Sequence, residues 1–212
     1  MTDLLRSLRV LALFVACTAP VLGQAQQRNT QVSRADSLLR LDMPDLETGR
    51  EVFLYFGWGD NFATETSFAA VIAPNNMNPH AAVVMQQLSK GYRWRASSLD
   101  EARIRSVDPW LRDKRIQMIQ SARDAPSGFL QYALFTADNV ACLAFDFRRV
   151  TPGGKDGGGE AGFAGVYCTD PRGKLGEDDV ARVVSGIYVN NKGELRRAYE
   201  VAKGPIPDRV RR

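Results

Sequence analysis

The chain contains very few of the residues that most often carry catalysis or bind metals. Its 212 residues include one histidine, His80, and three cysteines, Cys17, Cys142 and Cys168. A Ser-His-Asp or Cys-His site would need His80 as its base, and no Gly-x-Ser-x-Gly or Cys-x-x-Cys pattern supports one. The composition therefore predicts no catalytic residue, metal site or cofactor. His80 itself is interpreted as a surface or helix-capping residue.

Long hydrophobic runs are also missing beyond the N-terminus. A transmembrane helix needs about 20 apolar residues, and no segment approaches that length. The glycine-rich segment 153–159 lacks the Gly-x-x-x-x-Gly-Lys-Ser/Thr pattern of a phosphate-binding loop, and it is interpreted as a mobile hairpin loop. The net charge of +4 permits contact with anionic polymers but gives no reason to expect nucleic acid as a partner.

The first 25 residues have the layout of a bacterial-type export signal. Arg6 and Arg9 precede an apolar run at 10–16, and small residues follow it. The run is too short to cross a membrane as a helix. We therefore expect residues 1–25 to act as a signal peptide that places the protein in the periplasm or outside the cell.

Two processing routes fit this segment. A signal peptidase would cut after Gly23 or Ala25, where small residues occupy the required positions. Alternatively, residues 14–17 would act as a lipobox, although Phe14 stands where leucine is usual, and Cys17 would carry a lipid anchor. In the second case the membrane is a partner only through that anchor.

The rest of the chain divides by composition into three segments. Residues 26–50 begin with a polar stretch and are expected to form a flexible lead-in, with leucines at 38–41 packing as a helical turn. Residues 51–189 are expected to form a single α+β domain. Residues 190–212 read as a basic C-terminal tail that is helical over 194–203.

Apolar spacing predicts three helices in the first half of the domain, at 79–90, 98–105 and 108–122. Asn78-Pro79 and Asp108-Pro109 resemble helix starts, and Ser98 to Glu101 resembles a capping box. Strands are expected at 52–56 and 92–95, and the run 68–72 is ambiguous between strand and helix.

The second half of the domain changes to a period of two. Strands are predicted at 129–137, 140–150 and 163–168, with Asp138-Asn139 as a two-residue hairpin turn. The acidic residues 177–179 are favourable at the start of the helix that follows.

The cysteine count and the strand register support each other. With Cys17 removed or lipidated, Cys142 and Cys168 form an even pair in an oxidising compartment, which favours a disulfide. If the hairpin turn sets one register and the disulfide sets the next, nine residues share one apolar face of the sheet: Leu130, Tyr132, Leu134, Leu143, Phe145, Phe147, Phe163, Gly165 and Tyr167. The predicted fold is therefore α+β, with an antiparallel sheet of three to five strands, packed helices and a disulfide.

Residues 140–188 resemble part of a group of small, uncharacterised bacterial exported proteins and lipoproteins. The shared pattern consists of residues 141–145 (Ala-Cys-Leu-Ala-Phe), a glycine-rich gap, residues 165–168 (Gly-Val-Tyr-Cys), and a helix ending near Ile187. The resemblance covers less than a quarter of the chain. It implies export and a disulfide, and it carries no activity.

Two segments are candidates for ligand contact. Trp58, Asp60 and Asn61 follow a predicted strand and could form a sugar-stacking platform, with Glu51 and Glu65 nearby as carboxylates. The simpler interpretation is a glycine-containing turn in which Asp60 and Asn61 bond the backbone, and it is favoured.

The second segment contains Arg93, Trp94 and Arg95 and begins a basic stretch that extends to Arg115. It could contact an anionic polymer or lipid head groups. A solvated helix face balanced by nearby acidic residues is the favoured interpretation.

The sequence thus predicts an exported, non-catalytic binding or accessory protein of the cell envelope. Its expected partner is an envelope protein or an anionic envelope polymer. The alternative is a hydrolase that acts on a cell-wall or polysaccharide substrate through the carboxylates near Trp58.

Overall fold

The computed structural model describes residues 28–43, 45–46, 51–57, 65–71, 79–87, 98–124, 130–150, 159–191 and 193–203. Within these ranges the strands are β1 (Arg28–Val32), β2 (Leu39–Leu41), β3 (Glu51–Gly57), β4 (Glu65–Val71), β5 (His80–Gln87), β6 (Ile116–Asp124), β7 (Leu130–Ala137), β8 (Val140–Val150), β9 (Gly159–Cys168), β10 (Ile187–Asn191) and β11 (Glu194–Arg197). The helices are α1 (Glu101–Val107), α2 (Glu177–Ser185) and α3 (Ala198–Lys203), and Pro109–Leu111 forms a 3₁₀ turn.

The described strands form two antiparallel sheets. The larger sheet has eight strands in the order β1-β3-β4-β5-β9-β8-β7-β6, and the smaller has the order β11-β10-β2. The α+β class and the antiparallel pairing are confirmed. The expected size of three to five strands is too small for the larger sheet, because segments that were predicted as helices or as lead-in form strands.

The larger sheet is covered on both sides. One side, which we call the aromatic face, carries Phe145, Phe147, Phe163 and Tyr167 and packs in one core with α2, α3 and the smaller sheet. The other side, the alanine-rich face, carries small side chains such as Ala144 and packs in a second core with α1 and the 3₁₀ turn. Helices α2 and α3 therefore cover the aromatic face.

The predicted register of the C-terminal strands is confirmed. Leu134 pairs with Leu143 across β7 and β8, and Phe145 pairs with Gly165 across β8 and β9. Cys142 lies opposite Cys168, and the two form a disulfide on the alanine-rich face. Asp138 and Asn139 both have positive φ, as a type I′ hairpin turn requires.

Two of the three predicted helices are wrong. The segment 79–90 contains strand β5, which lies between β4 and β9 and buries residues on both faces of the sheet. A strand buried on both sides has a continuous apolar run, and this run happened to satisfy helical spacing. The segment 108–122 forms a 3₁₀ turn and then the first part of β6, because pairing with β7 begins at Ile116. Helix α1 is confirmed, with Asp100 rather than Ser98 as its N-cap.

The ends of the described chain also belong to the fold. Leu38, Leu39 and Leu41, predicted as a helical turn, are buried, and 39–41 form strand β2. The helix expected over 194–203 begins only at Ala198, after strand β11. Since Ala198 and Val201 are buried in the aromatic-face core, the boundaries 51–189 do not enclose the whole domain core.

Candidate functional site

A cleft of about 550 Å³ opens beside the aromatic face, where β7, α2 and the β11–α3 segment meet. Its apolar floor is formed by Leu130, Val180 and Val184. Tyr132 and Tyr199 also line it. A volume in this range, with an apolar floor and a few polar groups, is typical of small-molecule sites.

Local sequence patterns place these side chains in the cleft. Val180, Val183 and Val184 lie at helical spacing and bury the inner side of α2 against the sheet. In α3, Ala198 and Val201 are buried, so the short helix leaves Glu200 exposed at the rim.

A hydrogen-bond network joins the cleft to the edge strand β6. The amide Nε2 of Gln120 lies 3.5 Å from the Tyr132 hydroxyl oxygen and donates to Oε1 of Glu177 at 3.1 Å. Arg123 Nη1 lies 3.2 Å from the same carboxylate oxygen. Glu177 is therefore already paired with a cation.

The remaining charged groups on the rim are exposed. Asp178, Glu200 and Arg197 line the cleft, and no ion pair joins their side chains to other described residues. Glu177 is offset by Arg123, so the described residues of the rim leave two carboxylates and one guanidinium, and their net charge is negative.

The start of α2 is fixed by Asp179. Its carboxylate accepts a hydrogen bond from the Gly176 N–H at 2.9 Å and from the Arg182 guanidinium at 2.7 Å. The Gly176 N–H and the Arg182 guanidinium hold the pKa of Asp179 below its usual value, while partial burial opposes them. Arg182 also lies over the ring of Tyr167, whose pKa is raised by burial.

Replacing Asp179 with asparagine is expected to lower the free energy of unfolding at pH 7 by about 1 kcal/mol, the order of a helix-cap interaction. Because the folded-state pKa of this carboxyl is lowered, its contribution is complete above the usual aspartate pKa of 3.8 and is lost as the pH falls through the folded-state pKa. Urea unfolding as a function of pH should therefore show the difference between wild type and Asp179→Asn shrinking as the pH falls below 3.8 and the Asp179 carboxyl becomes protonated. A difference that stays constant throughout the acid range would contradict the charged role of Asp179.

His80 is buried, which corrects its interpretation as a surface or capping residue. Its Nε2 lies 2.8 Å from Oδ2 of Asp108, and the two side chains are 7% and 5% exposed. Oδ1 of Asp108 accepts a hydrogen bond from the backbone N–H of Trp110. The Trp110 and His80 rings pack edge to face, with 4.3 Å between their centroids. The pair anchors the 3₁₀ turn to β5 on the side of the sheet opposite the cleft.

Removing the Asp108 carboxylate with Asp108→Ala is expected to destabilise the fold by about 2–3 kcal/mol. The substitution deletes the cap of the 3₁₀ turn and a hydrogen bond of buried His80. Asp113→Ala is the matched control, since Asp113 is exposed nearby and should change stability by less than about 0.5 kcal/mol. Equal urea midpoints for the two variants would show that the pair does not stabilise the turn.

In the described part of the basic stretch, several cationic side chains form ion pairs or hydrogen bonds within the protein. Arg105 pairs with Glu101 and donates to the backbone oxygens of residues 111, 112 and 114. Lys114 pairs with Asp138 and lies over the Trp110 ring. Arg103 lies against buried Asp146. Asp108, an acidic residue within the same stretch, pairs with His80.

Several predicted site residues lie outside the described ranges: Cys17, Trp58, Asp60, Asn61, Arg93, Trp94 and Arg95. Glu51 is the first residue of β3 and pairs with Val71 of β4, while Glu65 is the first residue of β4 and pairs with Gly57 of β3. The prediction of ligand-contact residues therefore stays a prediction, and the sequence analysis did not identify the described residues that line the cleft. Two sequence features could have indicated the cleft: the acidic start of α2, and the alternating apolar residues Leu130 and Tyr132 of β7.

Among the described residues, no group of three or more histidine, cysteine or acidic side chains is placed to hold a metal ion. No described helix is both long and apolar enough to cross a bilayer. Comparison with known protein families, curated proteins and solved structures finds no match to this chain.

Proposed function

We propose that the protein is an exported, non-catalytic binding or accessory protein of the cell envelope, and that the cleft is its ligand-binding site. The single observation that carries this proposal is the cleft of about 550 Å³ with its apolar floor, two tyrosines and open charged rim. The N-terminal sequence pattern supports export, and the Cys142–Cys168 disulfide suits an oxidising compartment.

The placement of the reactive side chains supports binding rather than covalent chemistry. His80 is held by Asp108, and both described cysteines are joined in a disulfide, all on the alanine-rich side of the sheet. The cleft opens on the other side, and its lining contributes tyrosines, carboxylates and an arginine. These groups can orient and hold a ligand through hydrogen bonds and charge.

Site-specific photocrosslinking in native envelopes tests the binding role. A benzoylphenylalanine at Arg197, an exposed residue at the rim of the cleft, should give a discrete adduct, and the same group at Asp113 should not. Adducts at both positions, or at neither, would argue against a cleft-specific ligand.

The intact mass of the isolated protein tests export independently. It should show removal of the first 23 or 25 residues or a lipid on Cys17, together with the loss of two hydrogens for the disulfide. An unprocessed chain with three free thiols would overturn the envelope assignment.

A further inference from the structure

From the charge and lining of the cleft we infer that its ligand is a small organic cation, an amine or guanidinium attached to an apolar body. This inference rests on the proposed binding function. The apolar floor of Leu130, Val180 and Val184 would take the body, and the rim carboxylates would take the charged group.

The sign of the ligand charge follows from which charged side chains at the rim already form ion pairs. Glu177 is satisfied by Arg123 and Gln120. Among the described residues that line the cleft, Asp178 and Glu200 remain at the rim with one cation, Arg197. A cation would gain from this excess of negative charge, while an anion would face it.

The start of α2 does not offer a competing anion site. Its first turn already carries three carboxylates, at 177–179, which offset the partial positive charge of the helix start. The Asp179 carboxylate accepts from the Gly176 N–H and so occupies the position where a bound anion would sit. An anionic ligand would therefore bring a further negative charge to the rim.

The two tyrosines suit the same ligand class. Tyr132 and Tyr199 line the cleft, and the face of a tyrosine ring attracts a nearby ammonium or guanidinium group. An apolar floor alone would accept a neutral or charged ligand equally, so the aromatic and acidic groups together determine the preference.

Three probes with one shape separate charge from apolar fit: 4-phenylbutylamine, 4-phenylbutanol and 4-phenylbutanoate. At low salt the amine is expected to bind at least about tenfold tighter than the carboxylate, measured by calorimetric titration. In about 1 M NaCl the difference should shrink, because rim charges are screened over about 3 Å. Amide NMR shifts should place the amine at residues 181 and 199.

Variants test whether the rim carboxylates cause the preference. The double substitution Asp178→Asn with Glu200→Gln should weaken amine binding about five- to tenfold and leave the alcohol unchanged. Asp113→Asn with Glu194→Gln removes the same charge from exposed positions outside the cleft and should have little effect. Ala181→Trp, which fills the cleft, should abolish binding of all three probes.

The possible results separate the ligand class from the binding function. If the alcohol or carboxylate binds as tightly as the amine and Ala181→Trp removes that binding, the cation inference is overturned while the cleft remains a binding site. Amine binding that Ala181→Trp leaves intact would place it elsewhere and overturn the inference. No amine binding at millimolar concentration would overturn it as well, with the crosslinking result at Arg197 deciding the proposed function separately.

Discussion

Removing the Cys142–Cys168 disulfide is expected to lower the free energy of unfolding by about 3.5 kcal/mol. The bond closes a loop with a sequence separation of 26, and closing a loop of that size restricts the unfolded chain by about this amount. For a domain of this length the corresponding fall in melting temperature is roughly 10 °C. The double substitution Cys142→Ala with Cys168→Ala, followed by urea and thermal unfolding, measures it.

Reduced wild type provides the matched comparison for this variant. Its stability should fall close to that of the double alanine variant. If the N-terminal segment is processed as proposed, Cys17→Ala should leave the stability of the mature protein unchanged. Titration of free thiols should find none in the mature domain before reduction and two after it. Equal stability of the oxidised wild type and the double variant would show that the crosslink does not constrain the unfolded chain.

The region around this disulfide is where the sequence was most informative. The pairs from Ala137–Val140 to Leu130–Phe147 follow from one turn, and those from Cys142–Cys168 to Phe147–Phe163 follow from one crosslink. A slip of one residue would move every aromatic side chain to the wrong face, so the alternation left one register for both pairs of strands.

Strand β5 shows why the same reasoning failed further upstream. Ala81, Val83 and Met85 belong to one core, while His80 and Ala82 are also buried, so buried positions do not alternate with exposed ones. Periodicity could not distinguish this pattern from one face of a helix. The deciding factor is tertiary, since β5 pairs with β4 on one side and β9 on the other.

Local sequence patterns could not predict the cleft or the His80–Asp108 pair, because both bring together residues that are distant in sequence. His80 and Asp108 are separated by 28 positions, and Gln120 meets Glu177 across 57. Their proximity depends on the order of strands in the sheet, with β6 at its edge and α2 packed beside it. A sequence that reveals register within a hairpin does not reveal which distant segments share a surface.

Phe145 and Gly165 should show strong energetic coupling, because one residue provides the space that the other fills. They pair across β8 and β9, and a Cβ placed on Gly165 would lie only 2.1 Å from Cζ of the Phe145 ring. Phe145 is fully buried in the aromatic-face core. Phe145→Ala is therefore expected to cost about 3–5 kcal/mol, and Gly165→Ala about 1–3 kcal/mol through overpacking.

The double variant provides the decisive measurement. Once the ring is removed, the alanine methyl at position 165 has room, and alanine is favoured over glycine within a strand by about 0.5–1 kcal/mol. Gly165→Ala should therefore be neutral or stabilising in the Phe145→Ala background, a reversal that urea unfolding of all four proteins would show. In the Phe135→Ala background it should keep its full cost, because Phe135 lies in the core on the opposite face. If Gly165→Ala costs the same in both backgrounds, the Phe145 ring is not what requires glycine at this position.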